Sequence, residues 1–412
     1  MDIIMSAGAV FFLILFLFLL FIFVVILCSF FVKAPKGKKG YSPKVSILIP
    51  AYNEEKSIKD CLDSIRNLEY PKGLLEVIVI DDGSADRTAR IAKTSGAKVI
   101  KARHQGKSAA LNLGVEKASH PILFTIDADT VLEKGCLKEL VSPLQEGDVG
   151  ATTGNSQVKN SNTLIGAFQN IEYHYNNLIR LGFSRVFRNG IWFFGALACY
   201  RKSALKLIGG FKRDTMAEDM DIALELRKAG FRSVNVAGAI GHTIAPKSVK
   251  ELYHQRFRWW LGTLQALYKN RSLFSKKSPP SINFLFINQF WWSFYAFISL
   301  PLIIYQVKYW MPQEGFLAIF GYLFRWFTLS GPFYVLYKIP DWGISALSIF
   351  GVLSGILSAA MILIAIRTFK DRMSPRNLLV IFSYFPYTIL LNILIALSII
   401  RYRLRPKRFF IK

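Results

Sequence analysis

From Gly8 to Val32 the chain carries no charged residue and is mostly Phe, Leu, Ile and Val. About twenty apolar residues cross a bilayer as a helix, so this run is long enough to do so. A cleaved signal peptide does not fit, because the run is too long and no Lys or Arg precedes it. Lys33, Lys36, Lys38, Lys39 and Lys44 follow at once. Basic residues mark the cytoplasmic flank of a span, which predicts an outside N-terminus and a cytoplasmic domain after the anchor.

Further apolar runs come late, at roughly Ile282–Val307, Gly315–Tyr337, Gly343–Ile366 and Asn377–Ile400. The second contains Arg325 and Pro332, which predicts a bend or an interfacial stretch, since an intramembrane charge normally faces protein or water. One anchor plus four late spans returns the chain to the cytoplasm, in agreement with Arg401, Arg403, Arg405, Lys407, Arg408 and Lys412. The same count leaves Arg367, Lys370, Arg372 and Arg376 outside, against the rule. The expected organisation is an anchor over 1–33, a polar domain with its own core over 44–245, interfacial amphipathic helices over 246–280, about four spans over 281–400, and a basic cytoplasmic tail over 401–412.

Composition agrees. Of 412 residues 52% are hydrophobic, and mean hydropathy is +0.32 despite a net charge of +25. Disorder over most of the chain is excluded by that apolar content. The basic excess belongs to membrane flanks and anionic headgroups. It is not interleaved with aromatics on the soluble part, so no nucleic-acid partner is expected. Four scattered cysteines without a CxxC exclude a disulfide framework and a structural zinc site.

Between Lys44 and about Ala245 the pattern alternates strand and helix. VSILIP (45–50), LEVIVI (75–80), 99–101 and PILFTI (121–126) are short apolar strands. Asn53 reads as the N-cap of the first helix, Ser84 as the start of the second, and Gly106 as the opening of the third. Strands this apolar, alternating with helices, indicate a mostly parallel sheet covered on both faces. Ligands of such sheets sit beyond the carboxyl ends of the strands. That rule marks Ala51–Glu55, Asp81–Ser84 and Asp127–Thr130. Neither GxGxxG nor GxxxxGK[ST] occurs.

Taken singly, the polar groups at these places are ambiguous. Asp81-Asp82-Gly83-Ser84 suits a turn as well as a nucleoside contact. Asp127-Ala128-Asp129 at a bending strand end suits Mg²⁺ or Mn²⁺ bridging carboxylates to phosphate. Glu218-Asp219 opens an amphipathic helix, where acids complement the helix dipole; a carboxylate there also suits a general base. Lys107 is a helix-start cation or a diphosphate contact, and Tyr52 covers the sheet edge or stacks on a base. Gln255-Arg256-Phe257-Arg258-Trp259-Trp260 suits an interfacial helix or a sugar platform with a cation. Phe290–Tyr295 suits an aromatic belt or a sugar path.

In this order, PAYNEE, DDGS, GKSAALN, DAD, AED and QRFRW, from about Val45 to Trp260, resemble the processive inverting family-2 glycosyltransferases. These include cellulose, chitin, hyaluronan and poly-N-acetylglucosamine synthases and the nodulation chitooligosaccharide synthases. Ala217 departs from the Thr that many members carry before the acid pair. Gly195–Tyr200 occupies the place of the family's acceptor-pocket strand.

The resemblance implies a Rossmann-like α/β domain of GT-A type plus a helical transmembrane region. It implies a UDP-sugar donor, Mg²⁺ or Mn²⁺, and a growing poly- or oligosaccharide acceptor. Tyr52, Glu54 and Asp82 would hold the uridine, Lys107 the diphosphate, Asp127 the nucleotide and metal, and Asp129 the metal. Asp219 would be the general base, and Gln255, Arg258 and Trp259 would hold the acceptor end and diphosphate. The implied protein is a multi-pass plasma-membrane enzyme with N-acetylglucosamine as the favoured sugar, room for an accessory subunit, and export of the polymer. A single-addition transferase to a polyprenyl phosphate is the alternative; its members commonly lack QxxRW.

Overall fold

The computed structural model describes residues 2–32, 40–313, 315–342, 345–371 and 375–404. Lys33, Lys36, Lys38, Lys39, Arg372 and tail residues 405–412 lie outside the described residues.

Among the described residues, eight strands form one mixed sheet: β1 (Val45–Ala51), β2 (Leu75–Asp81), β3 (Lys98–Lys101), β4 (Ile122–Ile126), β5 (Val131–Leu132), β6 (Val149–Val158), β7 (Leu197–Arg201) and β8 (Arg232–Thr243), in the order β3-β2-β1-β4-β7-β6-β8-β5. Strands β3, β2, β1 and β4 are parallel. β7 runs antiparallel to both β4 and β6, and β8 is parallel to β6. Side chains alternate between the faces of β1, with Ile47 and Ile49 in one core and Leu48 in the other, all fully buried.

Helix α1 (Asp2–Phe31) precedes the sheet. Helices α2 (Ile58–Arg66), α3 (Thr88–Thr94) and α5 (Cys136–Val141) cover the Ile47 face. Helices α4 (Lys107–Lys117), α6 (Leu164–Phe187), α7 (Lys202–Leu207) and α8 (Glu218–Lys228) cover the Leu48 face. Helix α9 (Val249–Lys269) carries the QRFRW sequence. Its Ser248 hydroxyl caps the Glu251 N–H at 3.2 Å, while Glu251 reaches back to the Lys247 N–H at 2.9 Å.

Two helix starts differ from the sequence reading. Asn53 is not an N-cap. Its φ is 56°, and its side chain accepts from the Ala85 N–H at 2.9 Å, so α2 begins only at Ile58. Asn tolerates the left-handed region better than most residues. Ser84 likewise starts no helix. Its hydroxyl accepts from the Asn53 N–H at 3.0 Å, and α3 begins at Thr88. The two residues stitch the first two sheet-edge loops together.

The late region comprises α10 (Pro280–Trp310), α11 (Phe316–Trp326), α12 (Ser330–Trp342), α13 (Ala346–Thr368), α14 (Pro375–Phe382) and α15 (Tyr384–Leu404). Among the described residues, four helices are long and apolar enough to cross a membrane: α1, α10, α13 and α15. The stretch expected as one span over 315–337 is instead two short helices. Pro332 has no N–H and fits in the first turn of a new helix, which breaks the run at Phe327–Leu329. Arg325 folds into the hairpin, 3.9 Å over the Tyr334 ring.

The residues after α13 bind the helix that covers the sheet. Asp371 Oδ2 accepts from Asn170 at 2.7 Å and lies 2.9 Å from His174 Nε2, both on α6. Arg376 donates to the Thr163 carbonyl at 2.9 Å. The aromatics of 290–295 divide between protein and exposed surface. Trp291 and Tyr295 pack on Phe11 of α1, while Phe290 and Phe294 are exposed.

Candidate active site

The three marked loops converge at the carboxyl edge of β1, β2 and β4. Glu54 follows β1. Its backbone N–H donates to Thr88 Oγ1 at 2.7 Å, and its carboxylate takes the Ser57 hydroxyl at 2.5 Å. Burial raises its pKa, against the Ser57 bond and with help from the Asp127 charge. Asp127 leaves β4. Lys107, the first residue of α4, places Nζ 2.6 Å from Asp127 Oδ1 and 3.5 Å from Glu218 Oε1. Burial alone would lower the Lys107 pKa, but the charges of Asp127 and Glu218 reverse the direction and raise it.

Asp129 is pushed up to about 6 by burial and by the charges of Asp127 and Glu54. Thr243, at the end of β8, lies 3.4 Å from its Oδ2. Glu54, Asp127 and Asp129 thus gather negative charge around one lysine. Among the described residues no three His, Cys, Asp or Glu side chains form a ready-made metal cage. An acid pair of this kind fits an ion that keeps water or phosphate as its remaining ligands, as Mg²⁺ and Mn²⁺ do.

Asp219 sits in the first turn of α8. Its Oδ2 accepts the Gly195 N–H at 2.9 Å and its Oδ1 the Met220 N–H at 2.8 Å. Burial and the neighbouring Glu218 push its pKa up to about 6, against the pull of Gly195 and Lys107. Gly195 is obligatory: a Cβ there would lie 2.5 Å from Asp219 Cβ. Two threonines fix this turn, Thr125 donating to the Gly195 carbonyl at 2.7 Å and Thr153 to the Phe194 carbonyl at 2.8 Å.

Helix α9 abuts the same loop. Gly262 leaves no room for a side chain, since a Cβ would lie 2.6 Å from Ala217 N. Gln265 accepts from the Met216 N–H at 3.0 Å. Lys269 and Asn270 bind the fully buried Asp221 at 2.7 and 2.9 Å. The acid pair and the QRFRW helix are therefore tied into one block. Trp259 packs on Tyr173 at 6.1 Å between ring centres, and Gln255 hydrogen-bonds Tyr173. Arg258 is exposed and forms no ion pair among the described residues.

Two predicted residues have neighbours the sequence did not suggest. Asp82 is buried, and its carboxylate accepts the Gln105 and Gly106 N–H groups at 2.9 Å each. It therefore shapes the turn that presents Lys107. Tyr52 stacks on His104 at 4.1 Å. Sequence reasoning missed His104 and also Glu172. Glu172 accepts from Arg256 at 2.8 Å and from the Tyr387 hydroxyl at 2.6 Å, and Arg256 lies 4.7 Å over the Trp259 ring. Partners this far apart in sequence leave no local signal.

A mixed sheet with acids at the carboxyl ends of β1 and β4, and a further acid pair opening α8, defines a GT-A-type glycosyltransferase. The sequence profile described as Glycosyl transferase family 2 matches residues 46–209. The probable glycosyltransferase YdaM of Bacillus subtilis is 30% identical over 308 residues, 69% of this chain and 72% of that protein. The chain belongs to glycosyltransferase family 2. The poly-beta-1,6-N-acetyl-D-glucosamine synthase of Staphylococcus epidermidis is also 30% identical, over 55% of this chain. That match spans 56% of the relative's own length. Among solved structures, a mannosyltransferase from Pyrobaculum calidifontis in complex with GDP-Man and Mn²⁺ has the same fold, with a TM-score of 0.61 and 23% identity over 87% of this chain and 99% of that one.

Proposed function

We propose that the chain is a multi-pass membrane β-glycosyltransferase that extends a polysaccharide from a UDP-sugar, with N-acetylglucosamine as the transferred sugar. The observation that carries this reading is the single block formed by the acid pair and the QRFRW helix, facing Lys107 and Asp127 across the sheet edge. The donor sugar is supported by the printed names of the Staphylococcus relatives, which are poly-beta-1,6-N-acetyl-D-glucosamine synthases.

Tyr52 and Glu54 receive the uridine, and Lys107 faces the diphosphate. Asp127 and Asp129 are the residues that would hold a divalent ion, which when bound offsets charge on the leaving diphosphate. Asp219 takes the proton from an acceptor hydroxyl. That oxygen forms a bond to the anomeric carbon as the carbon–phosphate-oxygen bond breaks, and the electron pair leaves with UDP. Displacement from the opposite face inverts an α-linked donor to a β-linked product. Trp259 offers the acceptor sugar an aromatic face, and Gln255 orients its Tyr173 neighbour.

Lys107 is already ion-paired to Asp127, so it is positioned before the donor arrives and needs little reorganisation during reaction. The same reading places the catalytic domain in the cytoplasm. Helix α10 leaves that side and α13 returns to it, with α11 and α12 as a hairpin between them. Residues 367–371 then fall on the catalytic side, where Asp371 meets α6. This arrangement brings Arg367 and Lys370 into line with the positive-inside rule, and the basic end of α15, with Arg401 and Arg403, then becomes the segment that departs from it if α15 crosses. Asp219→Asn tests the reading. UDP release should fall at least about a thousandfold, as for loss of a general base, with UDP binding retained. Full turnover in that variant would overturn it.

A further inference from the structure

Arg180 lies on α6 with only 5% of its surface exposed, yet among the described residues it forms no ion pair. Its guanidinium donates to three neutral acceptors: Asn177 Oδ1 at 3.2 Å, Thr153 Oγ1 at 3.0 Å and the Gly154 carbonyl at 3.1 Å. Burying a cation without a counter-charge in contact is costly; the charge that offsets part of this cost is that of Asp219. A helix-to-strand tie alone would be made more cheaply by a neutral side chain.

The hydrogen bonds continue past Thr153. Its hydroxyl receives from Arg180 and gives its own hydrogen to the Phe194 carbonyl at 2.8 Å. The Phe194 carbonyl and the Gly195 N–H belong to one planar peptide group. That N–H donates to Asp219 Oδ2 at 2.9 Å. A cation, a hydroxyl and a peptide dipole are therefore aligned head to tail on one oxygen of the carboxylate. Hydrogen-bonded chains of this kind polarise one another in a low-dielectric interior, and donors aimed at a carboxylate favour its charged form.

We propose that Arg180 is a positioning residue for the transfer reaction, acting through Thr153 and the Phe194–Gly195 peptide to hold Asp219 oriented and ionised. The proposal rests on Asp219 being the general base. It gives the buried guanidinium a purpose that neither the motifs nor the local packing supplies.

Other groups also face Asp219. Glu218 on α8 opposes its ionisation and Lys107 on α4 favours it; the buried Tyr200 on β7 also faces it but stays protonated, its own pKa raised by burial and by the Asp219 charge. Asp221, two residues further on, is paired with Lys269 of α9. Against that background the relay is tested by removing its middle link, which leaves every charge in place. Thr153→Val keeps shape and size but cannot pass the hydrogen bond. Thr153→Ser keeps the hydroxyl.

The experiment measures kcat for UDP release against pH, from about pH 5 to about pH 8.5 at saturating donor, with the purified full chain in lipid nanodiscs. UDP binding is measured alongside. Thr153→Val should move the acid limb upward by at most about half a unit to one unit, the worth of the neutral Thr153–Phe194 hydrogen bond if it is passed on in full to the carboxylate. Thr153→Ser should restore it, and Arg180→Met should move it further. UDP affinity should not change.

An acid limb that stays in place in Thr153→Val, with kcat lowered equally at every pH, would overturn the proposal. So would a Thr153→Val protein that loses UDP binding, because the residue would then be supporting the fold. If Arg180→Met does not fold, the Thr153 pair decides alone. Asp219→Asn, run in parallel, separates the two claims. Turnover without Asp219 would defeat the base assignment itself, whereas an inactive Asp219→Asn with an unmoved limb in Thr153→Val would defeat only the relay.

Discussion

Gly195→Ala places a methyl group where the backbone meets the acid pair. The new Cβ would lie 2.5 Å from Asp219 Cβ and 3.3 Å from both its Cγ and Oδ2. Opening the first contact to the 3.4 Å of ordinary packing requires about 0.9 Å of movement. The strand side cannot supply it, because Thr125 and Thr153 pin the carbonyls of Gly195 and Phe194. Asp219 must therefore move and lose its Gly195 bond. A misplacement near 1 Å costs about a hundredfold in rate, and overpacking costs about 1–3 kcal/mol of stability. UDP release at saturating donor should fall about a hundredfold, with UDP affinity little changed, because the loops after β1 and β2 are held to one another through Asn53, Ser84 and Ala85. Gly190→Ala is the control, since its Cβ would meet nothing closer than 3.4 Å. Wild-type turnover in Gly195→Ala, in a protein whose melting temperature matches the control, would refute the reasoning.

Three further outcomes are expected. Lys107→Met leaves Asp127 and Glu218 without their cation, so kcat for UDP release should drop by about a hundredfold or more, measured across donor concentrations. Glu172→Gln strands the buried Arg256 and should destabilise by about 3–5 kcal/mol in a denaturation assay; Glu172→Leu combined with Arg256→Met should recover most of that loss. Asp129 titrates at about 6 in the fold, above its ordinary 3.8. The stability this gives is present below the ordinary value and lost as pH rises through 6, so in a chelator the melting temperature should fall from about pH 4 to about pH 6 and level off above that, and Mn²⁺ with UDP should flatten that fall.

The parallel half of the sheet was legible because β1, β2 and β4 are apolar on both faces and each ends in an acid-bearing loop. The acid pair at 218–219 was legible as the first turn of an amphipathic helix, and α8 begins at Glu218. Helix starts failed where a side chain serves another loop. Asn53 and Ser84 look like caps, but they bond across 31 and 32 residues to hold two loops together. The span over 315–337 failed because hydropathy averages over Gly331-Pro332. The supports of the site were invisible for a different reason. Glu172 meets Tyr387 across 215 residues, and Arg180 meets Thr153 across 27, with no motif at either end. Local pattern names the groups that face the substrate, while only the fold supplies the partners that orient them.

The most direct test of the central claim is UDP release by the purified full chain across UDP-N-acetylglucosamine, UDP-glucose and UDP-glucuronate with Mn²⁺, with the product sized and digested by linkage-specific hydrolases. A long β-linked N-acetylglucosamine polymer, absent in Asp219→Asn, is the predicted result. A single sugar on a lipid that partitions into organic solvent, with no polymer from any donor, would contradict it.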